Sequence, residues 1–218
     1  MKKLLILLSV FFCSNVFGQD PIFYSSNTIQ LYNNPAFAGL NKSFSMDFGC
    51  RNQWPELSGN YVSSVTSVNQ FLGKGNGISI QVFTDNAAQV IYKTEIDLGY
   101  AKTIKLMDKH FLSIGVQFAY YQKHFNFNNL TFGDMIDPRR GFVYSTGEIP
   151  YMDIGNFDAH IGLVYYNEVF YVSLSSKHLL RPIESFYDGN NRLPILYFTE
   201  VGGKYQLNDF RFVPLIRL

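Results

Sequence analysis

The amino-acid sequence predicts an all-β protein, an antiparallel transmembrane outer-membrane β-barrel, on the basis of three observations. Several stretches alternate apolar and polar side chains with a period of two residues, as strands do when their faces meet different surroundings. No segment after the N-terminus approaches the roughly 18 consecutive apolar residues of a membrane helix. Aromatic residues make up 17% of the chain and charged residues only 16%, which is typical of a sheet whose outer face meets lipid.

The first residues have the parts of a cleavable secretory signal peptide. Lys2 and Lys3 supply a positive start, and residues 4–12 form an apolar stretch too short to cross a bilayer as a helix. Val16 and Gly18 then place modest or small side chains ahead of a cleavage point. We therefore expect export to the bacterial outer membrane. The predicted organisation is a signal peptide at 1–18, a periplasmic N-terminal segment at 19–41 and a barrel at 42–218.

Charge and cysteine content exclude several classes of function. Removal of the signal peptide takes two of the 18 basic residues, so 16 basic side chains face 17 acidic ones and the net charge is −1. That balance lacks the basic excess of a nucleic-acid-binding protein. Cys13 leaves with the signal peptide and Cys50 stays alone, which excludes an internal disulfide and a cysteine-based zinc site.

The period-two pattern predicts nine strands. It is clearest at residues 92–101, where Tyr92 and Ile96 share one face while Lys93 and Glu95 share the other. The nine predicted strands are 43–51, 61–68, 78–83, 92–101, 110–121, 157–166, 170–175, 197–205 and 210–218.

The predicted connections alternate between short turns and longer loops, as in outer-membrane barrels with short periplasmic turns and long external loops. The short turns fall at 73–77, 107–109, 167–168 and 207–209, and the longer loops at 53–59, 84–90, 122–156 and 177–192. A soluble β-sandwich would also show alternating strands. The aromatic residues near both ends of the apolar faces favour the barrel, because barrels carry aromatic girdles at both membrane interfaces.

Two sequence blocks behind the signal peptide indicate a family. They are NNPAFAG at residues 33–39 and RNQW at residues 51–54. Their succession resembles the PorP/SprF family of Bacteroidota, outer-membrane proteins of type IX secretion and gliding motility. The resemblance implies a non-enzymatic role without a cofactor. It also implies contact with outer-membrane lipid and two kinds of protein partner: periplasmic ring proteins of the secretion system and secreted surface adhesins with a C-terminal sorting domain.

The resemblance also implies a longer chain than this one. Nine strands is an odd number, whereas single-chain bacterial barrels have even counts. An unclosed sheet would leave unpaired backbone groups in lipid, each costing several kcal/mol. We therefore expect residues 42–218 to form an incomplete barrel, as a fragment, as a natural truncation or as a chain that needs another segment to close.

The block at residues 33–39 has two interpretations. As a structural element, Pro35 fixes φ and Gly39 permits a tight turn into the barrel. As a functional element, the block would be a docking or plug segment for periplasmic partners. The turn-forming residue types favour the structural interpretation. The candidate partner-docking residues are Asn34, Pro35, Phe37, Gly39, Arg51 and Trp54.

Charged residues on the predicted luminal faces form a second candidate set. They carry both signs, so we expect an ion-pair network, because an unpaired buried charge is expensive. A selective pore would favour one sign. The predicted network residues are Asp47, Arg51, Lys93, Glu95, Asp97, Asp158, Glu200 and Lys204, and His160 shares their face.

No catalytic or metal-binding residues are predicted. The four histidines occupy separate segments, whereas a metal site would more often show closely spaced ligands. A lipid-modifying barrel enzyme would need a histidine beside a serine, and His178 follows Ser175 and Ser176, so this alternative stays open beside a passive channel.

The loop at residues 122–156 is long enough to have a function of its own. It combines arginines and carboxylates with aromatic side chains. A packed lid and a binding surface are equally compatible with that composition, since aromatic residues and arginine dominate interface hot spots. Asp134 and Asp137 alone are too few oxygens for a calcium site.

Overall fold

In this computed structural model the described residues are 20–21, 23, 29–57, 59–126, 130–147, 153–186, 191–203, 205–207, 210–212 and 215–217. The predicted signal peptide at residues 1–18 lies outside them. Within these described ranges, no helix is long and apolar enough to cross a membrane.

The described strands form one large antiparallel sheet, curled into a half-barrel, and two small hairpins. The strands are β1 (Ser45–Gln53), β2 (Tyr61–Gly73), β3 (Asn76–Ala87), β4 (Ile91–Met107), β5 (His110–Phe125), β6 (Ile136–Asp137), β7 (Gly141–Phe142), β8 (Asp153–Tyr166), β9 (Phe170–Lys177), β10 (Leu196–Gly203), β11 (Tyr205–Leu207), β12 (Phe210–Phe212) and β13 (Leu215–Arg217). The order in the large sheet is β1-β2-β3-β4-β5-β8-β9-β10-β13. The predicted fold class, an all-β barrel-type sheet, is confirmed.

Several strands are longer than the alternation predicts. β4 has 17 residues and β5 has 16, more than the roughly 9–11 that cross a bilayer. The predicted loop at 84–90 is accordingly a three-residue turn, with Ala88 and Gln89 in the left-handed region. The predicted last strand at 210–218 is divided, because β12 pairs with β11 while β13 pairs with β10.

The two ends of the sheet differ as the sequence predicts, except that the connection 88–90 is a three-residue turn, as short as 167–169. One end, the turn end, holds the short connections 74–75, 108–109 and 167–169. The other, the loop end, holds the connections 54–60, 88–90, 126–152 and 178–195. In outer-membrane barrels the end with short turns faces the periplasm.

The convex face of the sheet is apolar and exposed, and the concave face is polar and buried. Leu98 and Phe118 project outward, with 58% and 67% of their surface exposed. Their neighbours Asp97 and Gln117 are buried on the inside. Large apolar patches are rare on soluble monomers and typical of surfaces that meet lipid or protein.

Residues 29–41, which we call the N-terminal plug, fill the concave face. They contain α1 (Gln30–Asn33) and a 3₁₀ helix (Pro35–Phe37) that contacts β4, β5 and β8. These residues belong to the predicted N-terminal segment 19–41 and pack inside the curled sheet; the periplasmic location of that segment stays a prediction. The buried apolar cluster that joins the plug to the sheet consists of Leu31, Ala36, Phe37 and Ala38 from the plug with Ala101 and Val164 from the sheet.

Candidate functional site

Asn34 fixes the plug to strands on the far side of the sheet. Its amide nitrogen donates to the carbonyl oxygens of Leu163 and Leu174, both at 3.1 Å, and to Ser173 Oγ at 2.8 Å. Its side-chain oxygen accepts from the Ala36 N–H at 2.8 Å and so caps the 3₁₀ helix. With 1% of its surface exposed, Asn34 satisfies both ends of its amide inside the protein.

The sheet provides space for the plug at glycines. A Cβ on Gly115 would collide with the backbone of Ala36, and one on Gly162 would collide with the side chain of Asn34. Ser113, on the same face, donates its hydroxyl to the Ala36 carbonyl at 2.7 Å. These contacts bring the backbones of plug and sheet closer together than any larger residue would permit.

Gly39 directs the plug out of the concave face. Its φ of +69° lies in the left-handed region that favours glycine. A Cβ there would come within 2.6 Å of Gly77 Cα, so the two glycines allow the chain to cross β3 closely. The interpretation of residues 33–39 as a turn therefore applies to Gly39, while Asn34 lies deeper inside.

Asp20 lies among three basic groups at the other end of the interior. Its carboxylate is 3.2 Å from His178 Nε2, 3.7 Å from Lys177 Nζ and 4.0 Å from Lys93 Nζ. Burial alone would raise the pKa of Asp20, but His178 and the two lysines lower it well below its ordinary value. Asp20 is therefore a carboxylate throughout the physiological range.

His178 holds two carboxylates at once. Its Nδ1 lies 2.5 Å from Asp158 Oδ2, and its Nε2 faces Asp20. Burial alone would lower the pKa of His178, but the hydrogen bonds to Asp158 and Asp20 raise it to about 9. At neutral pH the ring is an imidazolium that donates both N–H groups.

His160 continues the charged contacts toward β4. Its Nδ1 accepts from the His178 N–H at 3.2 Å, so in the neutral ring the hydrogen lies on Nε2. That Nε2 is 3.7 Å from Glu95 Oε1, and Glu95 Oε2 lies 2.9 Å from Lys93 Nζ. Asp97, the next inward-facing residue after Glu95 on β4, accepts a hydrogen bond from Gln81 Nε2 at 2.8 Å.

Two groups in this region have ligand atoms close enough to hold a metal ion, namely Asp158 with His160 and His178, and Glu95 with Asp97 and His160. His160 belongs to both. Because its Nδ1 already accepts a hydrogen bond and its Nε2 carries the hydrogen, the ring offers no free lone pair. The hydrogen-bond pattern favours an ion-pair network over a metal site.

We call this set the interior charge cluster: Asp20, Lys93, Glu95, Asp97, Asp158, His160, Lys177 and His178. The predicted network residues Lys93, Glu95, Asp97 and Asp158 are brought together in it. Three members, Asp20, Lys177 and His178, were not among the predicted network residues. Lys177 could have been found by continuing the inward alternation of β9, whereas Asp20 carries no local signal.

The other predicted network residues lie apart from the cluster. Glu200 accepts from the Tyr171 hydroxyl at 2.6 Å, and Arg51 donates to Gln53 Oε1 at 2.7 Å. Asp47 is half-buried on β1. Lys204 lies outside the described residues. Whether the network as a whole stiffens a barrel stays a prediction.

The candidate docking residues separate into two groups. Asn34, Pro35 and Phe37 are buried in the plug, and Gly39 lies at its exit. Arg51 and Trp54 lie at the loop end instead, where the exposed Trp54 ring meets Tyr61 edge-on at 5.5 Å between centroids. A docking role for any of the six, Asn34, Pro35, Phe37, Gly39, Arg51 and Trp54, stays a prediction.

The long loop contains a small ordered hairpin, β6 and β7. Asp137 accepts from the backbone N–H groups of Arg139 and Arg140 at 2.8 and 2.9 Å, and from the Tyr144 hydroxyl at 3.0 Å. These hydrogen bonds lower the pKa of Asp137. Both Asp137 oxygens are thus used in local hydrogen bonds of the hairpin.

The apolar convex face and the filled polar concave face define a class of protein: a barrel-type membrane protein whose interior is occupied by its own N-terminal segment. The model of the family described as type IX secretion system membrane protein PorP/SprF matches residues 15–218. The chain belongs to this family, which confirms the resemblance, and it is a component of type IX secretion. No curated protein and no solved structure shows a significant match.

Proposed function

We propose that this protein is an outer-membrane partner protein of the type IX secretion and gliding machinery, exported with a cleavable signal peptide. It binds periplasmic ring proteins and helps to export or attach surface adhesins that carry a C-terminal sorting domain. It acts by binding rather than catalysis. The observation that carries the proposal is that the protein's own chain fills its interior, so its exposed ends are the surfaces available to partners.

The filled interior argues against a passive channel. The plug forms hydrogen bonds to the strands through Asn34 and Ser113, and its apolar residues contact the sheet. The charges near it are paired across short distances, as between His178 and Asp158. A selective pore would instead line a water-filled path with charges of one sign.

The state of His178 argues against a lipid-modifying enzyme. A histidine that activates a serine must be neutral and must accept the serine proton. His178 is protonated at neutral pH, and both ring nitrogens donate to Asp158 and Asp20. Ser176, the nearest serine in sequence, therefore has no free base at this position.

Affinity purification tests the proposal. An affinity tag inserted after Arg140, at the tip of the β6–β7 hairpin, leaves the sheet intact. We expect the tagged protein, solubilised in detergent from its own cells, to co-purify with the periplasmic ring proteins or with a surface adhesin. The matched control is an unrelated outer-membrane barrel with the same tag. Recovery of the protein without either partner, from cells that make all of them, would exclude the proposed role.

A further inference from the structure

A cleft of about 420 Å³ opens at the turn end of the sheet, beside the exit of the plug. Its floor is aromatic, since the Phe111 and Tyr166 rings stack with 5.2 Å between centroids and an 18° angle. Three lysines, Lys42, Lys74 and Lys105, line its walls. We call it the lysine cleft.

The lysine cleft lies on the concave side of the sheet. Lys105, Phe111 and Tyr166 are directly opposite one another across β4, β5 and β8. The residues on either side of Lys105, Ile104 and Leu106, project outward and are exposed on the convex face. A group bound in the cleft would approach from the periplasmic end of the barrel rather than from the lipid.

Positive charge predominates around this cleft. The described turn end carries five lysines, and its exposed carboxylates are Asp108 and Glu168, so the formal excess is three positive charges. The five lysines are Lys42, Lys74, Lys102, Lys105 and Lys109. Asp108 pairs with Lys105 at 2.7 Å and Glu168 with Lys109 at 3.1 Å. Both ion pairs are exposed, and exposed ion pairs contribute little free energy.

Lys42 and Lys74 are the most available of these cations. Lys42 Nζ lies 5.9 Å above the Phe111 ring and Lys74 is exposed at the β2–β3 turn. The cleft thus combines a flat apolar floor with cations above it. That combination fits a peptide carrying carboxylates next to an apolar or aromatic side chain.

We propose that the lysine cleft docks an acidic segment of a periplasmic protein, with carboxylates on the lysines and an apolar side chain on Phe111 and Tyr166. The orientation of the cleft and the choice of a ring protein as its first partner rest on the proposed function. An anionic lipid headgroup is disfavoured because it would meet the convex face.

Binding to the purified periplasmic ring complex tests the proposal. The full chain in detergent is compared with the variant Lys42→Glu/Lys74→Glu/Lys105→Glu by biolayer interferometry across a salt series. We expect charge reversal to weaken binding at least about tenfold, because attraction becomes repulsion at three contacts. Lys109→Glu, outside the cleft, is the matched control and should stay within about twofold. A triple Lys→Arg variant should bind as the unmodified protein does.

A labelled peptide, Glu-Glu-Phe-Glu-Glu, provides a second probe that is independent of the ring proteins. Binding of the ring complex that charge reversal leaves unchanged would overturn the cleft proposal and leave the proposed function standing. Binding of the peptide but not the ring complex, lost on charge reversal, would support the cleft and contradict the ring proteins as partners. Binding of neither probe would overturn the cleft proposal and the ring proteins as partners, and the co-purification would then decide whether an adhesin partner remains.

Lipid vesicles test the remaining alternative, in which the cleft binds an anionic lipid headgroup rather than a peptide. Vesicles of phosphatidylcholine with and without phosphatidylglycerol are offered to the same variants. Charge reversal that abolishes binding only to the anionic vesicles would identify a lipid site and overturn the proposal. Equal heat-modifiable migration of all variants on gels verifies that each has folded.

Discussion

Glycines in the strands determine where the plug can lie. A strand interior usually disfavours glycine, because the residue has no side chain to pack and loses more conformational freedom on folding. At Gly115 and Gly162 this cost is offset by contacts of Ala36 and Asn34, which approach the two Cα atoms closely. Their presence on the concave face is therefore explained by the plug rather than by the sheet.

Gly162→Ala should destabilise the protein by about 1–3 kcal/mol, because the new methyl group overlaps the Asn34 side chain and forces the plug to move. Urea unfolding in detergent micelles measures the free energy. Gly133→Ala is the matched control, since a Cβ there meets nothing within 4 Å, and it should change stability by less than about 0.5 kcal/mol. Equal stability of the two variants would show that the plug does not contact Gly162 in the membrane protein.

His178 should make stability fall as pH rises. The pKa of His178 is about 9 in the folded state against an ordinary 6.5. Its contribution to the stability of the fold is therefore complete below pH 6.5 and disappears as the pH rises past 9. A pKa raised by this amount corresponds to a contribution of roughly 3 kcal/mol to the free energy of unfolding at low pH. Unfolding free energies at pH 6, 7.5 and 9.5 measure the effect.

His178→Gln should remove most of that pH dependence while keeping a neutral hydrogen-bonding side chain between Asp158 and Asp20. The same slope in both proteins would assign the pH dependence to other groups. His124→Gln is the control, because His124 is exposed and pairs with Asp153 at 3.0 Å outside the interior charge cluster.

The interior charge cluster joins elements that are distant in sequence. Lys93 on β4 contacts Asp20 ahead of the plug, and His178 after β9 contacts both Asp20 and Asp158 on β8. A buried ion pair contributes little net stability against an apolar pair, but removal of one partner leaves an uncompensated charge. The cluster therefore specifies which elements meet.

Lys93→Met should cost about 3–5 kcal/mol, because it leaves Glu95 without its nearest buried cation and removes one of the three basic groups around Asp20. The double variant Lys93→Met/Glu95→Gln should recover at least half of that loss, because it removes one positive and one negative charge together. Thermal and urea unfolding measure both variants.

An exposed pair is the comparison for this experiment. Lys109→Met breaks the pair with Glu168 and should cost less than about 1 kcal/mol. The single variant Glu95→Gln completes the comparison. Losses in Lys93→Met and Glu95→Gln that simply add up in the double variant would contradict a coupled network.

At the scale of the whole molecule, the plug crosses the interior between the two ends of the sheet. Asp20, ahead of the plug, contacts Lys177 and His178 near the loop end, whereas Lys42 contacts Phe111 near the turn end. The described residues ahead of β1 therefore contact the concave face near both ends of the sheet. Any path for ions or substrates through the interior would have to displace this segment.

Planar-bilayer recordings should show no steady conductance for the reconstituted protein, because the plug and its charges fill the path. The double variant Gly115→Val/Gly162→Val, which forces the plug away from the sheet, should conduct. Open currents in the unmodified protein would favour a passive channel and contradict binding as its main role. Silence of both proteins would show that the plug is not what closes the interior.

The sequence by itself determined most strands of the large sheet, their alternating faces and most of the order of short and long connections; the single strand at 210–218 and the long loop at 84–90 were wrong. These follow from local backbone geometry, since side chains in a strand alternate sides wherever the strand forms. Two sequence blocks identified the family. The alternation was less informative about strand ends: hydrogen bonding in the hairpins continues past the apolar residues, so β3 and β4 leave only a three-residue turn.

Only the tertiary structure decided what fills the concave face. Asn34 bonds to Leu163, 129 residues further along the chain, and Asp20 lies beside His178, 158 residues away. Neither contact has a local signal, because the turn-forming residues at 33–39 suit a surface turn as well as a buried plug. The lysines at the turn end likewise became one cleft only when β2, β4 and the plug exit met. The predicted barrel is thereby sharpened: its inward face is polar because it binds its own N-terminal segment.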